Sequence, residues 1–405
     1  MSKIIDIIDK DSHANLNQYN KNVLDTPSIV FIENKVKSNL SRIINLKTGS
    51  NPRILFALKP LTFLGFLRFV PRYLDGFAAS SLFEATLARE LIGDGGIVNF
   101  TTPGLRPSEV DQIFGLCDYV SFNSLNQVAW YLNPTIQKIK YGLRVNPGIS
   151  FVKDQRYNPS REASKLGVPL AQLVSALSNG AHTQLEHISG LHFHNNCDST
   201  DLSQLLKTVK QIELHISDFL SKLEWINLGG GYIFQEAASL DPLYEAVDLL
   251  QKKYALEVFI EPGAAIVRDA GYIVSSVLDI FESDGKTIAV LDTTVNHMPE
   301  VFEYQYEPDV IGHVEGGKYK YILAGCSCLA GDVFGEYTFN EPLEVGSRVV
   351  FSGMGAYTLV KANMFNGINL PTIYSLREDG ELVLEKQFTY EDFASRCGVE
   401  THDLA

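Results

Sequence analysis

An amine, an imidazole, a run of glycines and a carboxylate stand in that order at the ends of successive apolar runs. Lys59 closes Ile54-Leu55-Phe56-Ala57-Leu58, and His194 closes Gly190-Leu191-His192-Phe193. Gly229-Gly230-Gly231 follows Trp225-Ile226-Asn227-Leu228, and Glu261-Pro262-Gly263 follows Glu257-Val258-Phe259-Ile260. A lysine partly removed from water has a lowered pKa and becomes a nucleophile for carbonyl groups. Pro60 keeps Lys59 in extended backbone. Three glycines remove three Cβ atoms, which permits positive φ and a close backbone approach to a phosphate. Singly, each feature has a bland reading: a surface lysine, a turn, a structural glutamate before Pro-Gly.

Their order gives them a joint meaning. An amine for an aldehyde, a cradle for a phosphate and a carboxylate for a ring nitrogen together suit pyridoxal phosphate. A glutamate facing the pyridine nitrogen keeps it protonated and makes the ring a strong electron sink, which a decarboxylase needs. His194 could lie against the ring face, although a lone histidine is more often a satisfied barrel residue. Further on, Cys328 lies in Gly325-Cys326-Ser327-Cys328-Leu329-Ala330-Gly331-Asp332, where a thiol in a polar loop could donate a proton to carbon. Tyr357 offers a phenol within reach of a phosphate.

The elements that must position these groups can be read from the hydrophobic pattern. Short apolar runs occur at 53–58, 76–79, 96–100, 119–122, 141–145, 188–193, 225–228 and 257–260. Between them lie helix-compatible segments. Those at 81–92 and 201–220 carry apolar residues at three- and four-residue spacing and start beside Ser or Asp, good N-caps. Strand–helix alternation repeated in this way predicts a parallel (β/α)8 barrel, with chemistry at the strand C-termini, where Lys59, Arg144, His194, the glycines and Glu261 all fall. Beyond about 270 the texture becomes β-rich, with runs at 272–281, 287–292, 320–324 and 348–351 and a closing helix at 390–397. The expected architecture is an α/β chain: a barrel over 28–270, with 1–27 and 271–405 forming a β domain. A strand within 26–33 is expected at the domain junction.

With 34 basic and 48 acidic residues the net charge is −14, which argues against a nucleic-acid partner. Five scattered cysteines suggest reduced thiols and a cytoplasmic protein. Cys326-Ser327-Cys328 lacks a second ligand pair at zinc spacing, so no metal is expected. The first residues are polar and charged, unlike a signal peptide, and no apolar stretch reaches the ~18 residues that span a bilayer.

The set Ala57-Leu58-Lys59, His192-Phe193-His194, Gly229-Gly230-Gly231, Glu261-Pro262-Gly263, Cys328 with Asp332, and Tyr357-Thr358 resembles the fold type III pyridoxal-phosphate-dependent decarboxylases, which share the alanine-racemase barrel. Within that group it is similar to the subgroup acting on carboxynorspermidine and carboxyspermidine. That likeness rests on His297-Met298-Pro299-Glu300-Val301, Ser327-Cys328-Leu329-Ala330-Gly331-Asp332-Val333 and Tyr357-Thr358-Leu359-Val360-Lys361, with Phe365-Asn366-Gly367 following. The chain departs from the subgroup at Tyr232, Ala264 and Gly355-Ala356.

The resemblance implies roles. Lys59 would hold the cofactor covalently, His194 would stack on its ring and Glu261 would pair with its nitrogen. Gly229, Gly230, Gly231 and Tyr357 would hold the phosphate. Cys328 would donate a proton, reaching a partner subunit's site in a homodimer, and Glu300 and Asp332 would contact a cationic substrate. The implied reaction converts carboxynorspermidine or carboxyspermidine to norspermidine or spermidine. The alternatives are decarboxylation of a smaller diamino acid, such as diaminopimelate or ornithine, or a non-catalytic regulator. Racemisation is disfavoured by Glu261, because alanine racemases place an arginine there.

Overall fold

The structure is a computed structural model, and it describes residues 24–180 and 183–398. The described chain divides into two compact units, one spanning 39–266 and the other formed by the residues on either side.

The first unit is a closed parallel barrel. After β1 (Ser28–Ile32), which belongs to the other unit, come β2 (Arg53–Ala57), β3 (Gly76–Ala79), β4 (Ile97–Thr102), β5 (Tyr119–Phe122) and β6 (Lys140–Asn146). A two-residue β7 (Val168–Pro169) pairs with β6, and β8 (Gly190–His192), β9 (Trp225–Asn227) and β10 (Glu257–Ile260) complete the ring. Every pair is parallel, and β10 pairs with β2 while β5 pairs with β6, so no edge remains in the ring. Burial on both faces explains why these strands read as continuous apolar runs. The helix Leu82–Ile92 starts where Ser81 Oγ accepts the Glu84 amide at 3.2 Å.

One end of the barrel is plugged. Leu55, Tyr119, Trp225 and Phe259 form a buried cluster, with Trp225 and Tyr119 edge-to-face at 5.2 Å. Room for the indole comes from neighbouring strands, since a Cβ on Gly190 would lie 2.0 Å from the Trp225 ring and one on Gly142 2.5 Å. Trp225 and Tyr119 are the first residues of their strands. The plug therefore fills the N-terminal end and leaves the C-terminal end for chemistry.

The second unit is a mixed sheet of β11 (Gly271–Ser283), β12 (Lys286–Leu291), β13 (Tyr319–Ala324), β14 (Val333–Phe339), β15 (Arg348–Phe351), β16 (Thr372–Leu376) and β17 (Leu382–Lys386), together with β1. Its order is β14-β13-β12-β11-β1-β16-β17, with β15 also on β11. Its core includes Val30, Ile32, Tyr272, Val274, Val350, Tyr374 and Leu376. The expected boundaries at 28 and 270 are therefore displaced. β1 pairs antiparallel with β11 and parallel with β16, which places 28–32 in the sheet; the unit it belongs to runs to 38, and the barrel unit spans 39–266. Residues 1–23 and 399–405 of the expected β domain lie outside the described residues. Among the described residues no helix is long and apolar enough to cross a membrane, and no group of His, Cys, Asp and Glu could hold a metal ion.

Candidate active site

The barrel brings four strand ends together through hydrogen bonds that run just past the strands. Ala57 donates to the Pro262 carbonyl at 3.1 Å and Leu58 to Ala78 at 3.1 Å, which fixes the backbone entering Lys59. Gly263 makes room for the turn that follows, since a Cβ there would sit 2.7 Å from Pro60 Cγ. On the other side Phe193 donates to Asn227 at 3.0 Å, Leu228 to Phe259 at 2.9 Å and Glu261 to Gly229 at 2.8 Å. Lys59, His194, the glycine turn and Glu261 thus share one end of one barrel.

The glycines are required by packing. Gly229 and Gly231 have φ of +67° and +87°. A Cβ on Gly229, Gly230 or Gly231 would meet the carbonyl oxygens of Phe193, Glu261 and Asn196 at 2.4, 2.2 and 2.1 Å respectively. Only glycine lets these strand ends approach so closely. The Gly230 amide donates to His194 Nδ1 at 3.1 Å. An acceptor at Nδ1 leaves the ring proton on Nε2 and the imidazole neutral.

The charges are tuned by enclosure. Lys59 has surface open to solvent yet is ringed by protein, as suits a side chain in a concave mouth. That enclosure lowers its pKa. Arg144 adds to the fall, against the opposing pull of Cys197, Glu261 and Glu84. Burial brings the Arg144 guanidinium down to about 10, with Glu261 opposing. Burial raises the Glu261 carboxyl, opposed by the Asn227 hydrogen bond and then by Arg144 and Lys59. Burial also holds His192 and His194 well below the ordinary histidine range. His192 is 1% exposed, and neither ring nitrogen has a hydrogen-bond partner among the described residues. Its Nε2 lies 3.8 Å from Glu261 Oε2.

This donor set fits pyridoxal phosphate. A lysine amine of lowered pKa suits an aldehyde. A buried carboxylate suits a ring nitrogen that carries a proton. A glycine turn with two positive φ angles suits an anion.

The other predicted residues lie on the sheet unit. Cys328 is exposed, on a loop stitched by its own polar groups, and its amide donates to Asn366 Oδ1 at 2.8 Å. Asp332 is tied into its own loop. It is 3% exposed, and its Oδ1 accepts the Val295 amide at 2.8 Å. Its Oδ2 accepts the Ser327 amide at 3.0 Å and the Ser327 hydroxyl. Its carboxylate thus braces the Cys328 loop. Glu300 stands half-buried in the first turn of the helix Pro299–Tyr304, with Oε1 3.4 Å from Lys361 Nζ. Lys361 also pairs with Glu303. Burial raises the Glu300 carboxyl, and Lys361 opposes the rise. Tyr357 is half-buried at φ +56°, an uncommon conformation for a side chain of its size. The departure at Gly355 has a packing reason, since a Cβ there would lie 1.7 Å from the Val267 carbonyl oxygen.

Sequence reasoning gave no role to Asn227 or His192 and named Arg144 only as a strand-end residue. The one available signal was an asparagine two positions before three glycines.

A family model described as pyridoxal-dependent decarboxylase, C-terminal sheet domain, matches residues 22–355. The carboxyaminopropylagmatine decarboxylase of Synechocystis sp. is 36% identical over 93% of this chain and 96% of its own length. The carboxynorspermidine/carboxyspermidine decarboxylase of Campylobacter jejuni is 32% identical over 92% of this chain and 98% of its own. The crystal structure of carboxynorspermidine decarboxylase from Campylobacter jejuni, complexed with norspermidine, superposes with a TM-score of 0.83 at 30% identity, covering 92% of this chain and all of that one.

Proposed function

This chain belongs to the pyridoxal-dependent decarboxylases, and we propose that it removes the α-carboxylate of a carboxylated polyamine, carboxynorspermidine or carboxyspermidine, to give norspermidine or spermidine. The observation that carries this reading is 32% identity, over 92% of this chain, to a carboxynorspermidine/carboxyspermidine decarboxylase. The cofactor is pyridoxal phosphate, which when bound supplies an electron sink for the pair left as carbon dioxide departs.

The chain's own residues do the rest. Lys59 holds the cofactor through its amine, and its lowered pKa keeps more of that amine neutral. Glu261 holds a proton at the ring nitrogen. His194, kept neutral by burial and with its Nδ1 accepting the Gly230 amide, gives the ring an apolar face without adding charge. The turn Gly229-Gly230-Gly231 and Tyr357 hold the phosphate. Cys328 delivers from Sγ the proton that replaces the lost carboxylate at the α-carbon. Asp332 keeps its loop in shape. Glu300 accepts a substrate ammonium. The functional assembly is a homodimer in which Cys328 and Glu300 of one subunit serve the barrel of the other. All five cysteines are thiols, which suits a reducing cytoplasm.

A second substrate reading has its own support. The 36% identity to a carboxyaminopropylagmatine decarboxylase favours a substrate whose tail ends in a guanidinium. Both tails are cationic, and Glu300 suits either. The test is a product assay with purified protein and pyridoxal phosphate against carboxyspermidine, carboxynorspermidine, carboxyaminopropylagmatine, diaminopimelate and ornithine. Fastest turnover of a carboxypolyamine supports the proposal, and preference for the agmatine derivative selects the second reading. Preference for diaminopimelate or ornithine would reject both while leaving the reaction class intact. No turnover of any would favour a non-catalytic role.

A further inference from the structure

The side-chain amide of Asn227 touches two parts of the cofactor site at once. Its Nδ2 donates to Glu261 Oε1 at 2.7 Å, and its Oδ1 accepts the Gly229 amide at 2.8 Å. Asn227 is fully buried and Glu261 nearly so. The backbone of Asn227 is pinned on both sides, in register with His192 of β8 and Phe259 of β10. Its partners also fix which way the amide points. A flipped amide would set NH2 against the Gly229 N–H and a carbonyl oxygen against the carboxylate.

Few side chains satisfy both partners. Aspartate is the same size but offers only acceptors when ionised. Leucine offers neither, and leaves a buried carboxylate and a buried amide short of a partner each. The Glu261 carboxylate is therefore oriented by a neighbour that also holds the first glycine of the turn. The hydrogen bond from Asn227 heads the influences that oppose the upward shift of the Glu261 carboxyl.

We propose that Asn227 is a positioning residue that aims the Glu261 carboxylate at the cofactor's ring nitrogen and ties that aim to the glycine turn. One side chain then sets the spacing between the group that meets the nitrogen and the turn that meets the phosphate. This inference rests on the reading that Glu261 faces the ring nitrogen.

The experiment compares two cofactors on the apo-protein. One is pyridoxal phosphate and the other its 1-deaza analogue, in which a C–H replaces the ring nitrogen. Dissociation constants are measured for the native protein and for Glu261→Gln, Asn227→Ala and the double variant. Asn227→Ala should weaken pyridoxal phosphate about tenfold more than the deaza analogue, the scale of a lost hydrogen bond to a buried charge. Glu261→Gln should show the same selectivity, and the double variant should add little to it. Equal weakening of both cofactors by Asn227→Ala would make Asn227 a strut of the turn and overturn the proposal. Absence of selectivity in Glu261→Gln would overturn the ring-nitrogen reading itself. Selectivity in Glu261→Gln alone would overturn only the role of Asn227. Should Asn227→Ala fail to fold, Asn227→Ser is the second variant, its shorter side chain being unable to bridge Glu261 and the Gly229 amide together. Selective weakening there supports the proposal, and its absence overturns it.

Discussion

The backbone amide of Gly230 donates to Nδ1 of His194 across 3.1 Å, so the glycine turn dictates the protonation state of the imidazole. Burial, Lys59 and Arg144 push the His194 pKa down, against a backbone contact with Asn196. A depressed histidine pKa means the neutral form persists as pH falls through the ordinary range. Long-range ¹H–¹⁵N spectra of labelled protein should show an unprotonated Nδ1 and a protonated Nε2 from pH 8 to pH 5. Titration of this ring near the ordinary value of 6.5 would contradict the geometry.

Lys59 should carry the cofactor. Borohydride reduction of the loaded protein should place the adduct on Lys59, and Lys59→Ala should lose both adduct and activity. The lowered pKa sets the pH dependence. A depressed amine pKa keeps the neutral, reactive form present at lower pH, and reactivity is lost as pH falls through it. The attachment rate should therefore rise with an apparent pKa below the ordinary lysine value of 10.5. An adduct on another lysine, or a midpoint at or above the ordinary value, would remove Lys59 from this role.

Asp332 should act on kcat rather than KM. Its carboxylate holds Val295 and Ser327, and a Cβ on Gly325 would meet it at 2.2 Å, so the Cys328 loop closes around it. Asp332→Asn replaces one acceptor oxygen by a donor that faces an N–H, at a stability cost of about 1–3 kcal/mol. Urea unfolding should register that loss, and kcat should fall with KM for carboxyspermidine little changed. A rise in KM alone would return Asp332 to the substrate.

Much of this was legible because the barrel strands are buried on both faces and so print unbroken apolar runs, as at 53–58 and 257–260. The helix Leu82–Ile92 was legible through its Ser81 cap. β1 prints a similar run, but its partner β16 begins at Thr372, and nothing local distinguishes a barrel strand from a sheet strand. β14 was obscured by Gly335, which sits at φ +144° against the Glu307 side chain. Sequence does not show the amides of nearby Ser327 and distant Val295 converging on Asp332. The role of Asn227 is invisible for the same reason, since Glu261 comes from the next strand.

Catalysis should need two subunits. Lys59 and Cys328 belong to different units of the chain. Mixed under conditions of subunit exchange, inactive Lys59→Ala and Cys328→Ala proteins should recover activity, up to about a quarter of native if dimers form at random and one site in each mixed dimer is intact. Light scattering should give a dimer mass. No recovery after exchange is verified would place both residues' action within one chain.

Glu300 should set substrate affinity. Its carboxylate is half-buried and already faces the Lys361 ammonium at 3.4 Å, so a substrate ammonium must compete with an internal cation. A charge-assisted hydrogen bond is worth roughly 1.5–3 kcal/mol, so Glu300→Gln should raise KM for carboxyspermidine about tenfold or more. Affinity for pyridoxal phosphate should be unchanged. Lys361→Met removes the competitor and should lower KM at pH 8. The carboxyl pKa is raised by burial, with Glu303 adding to the rise and Lys361 opposing it, so the binding-competent ionised form is lost as pH falls. Without Lys361 that loss begins at higher pH, and the gain in KM should shrink or reverse as pH falls. A KM insensitive to Glu300→Gln would show that the substrate's cationic tail is held elsewhere.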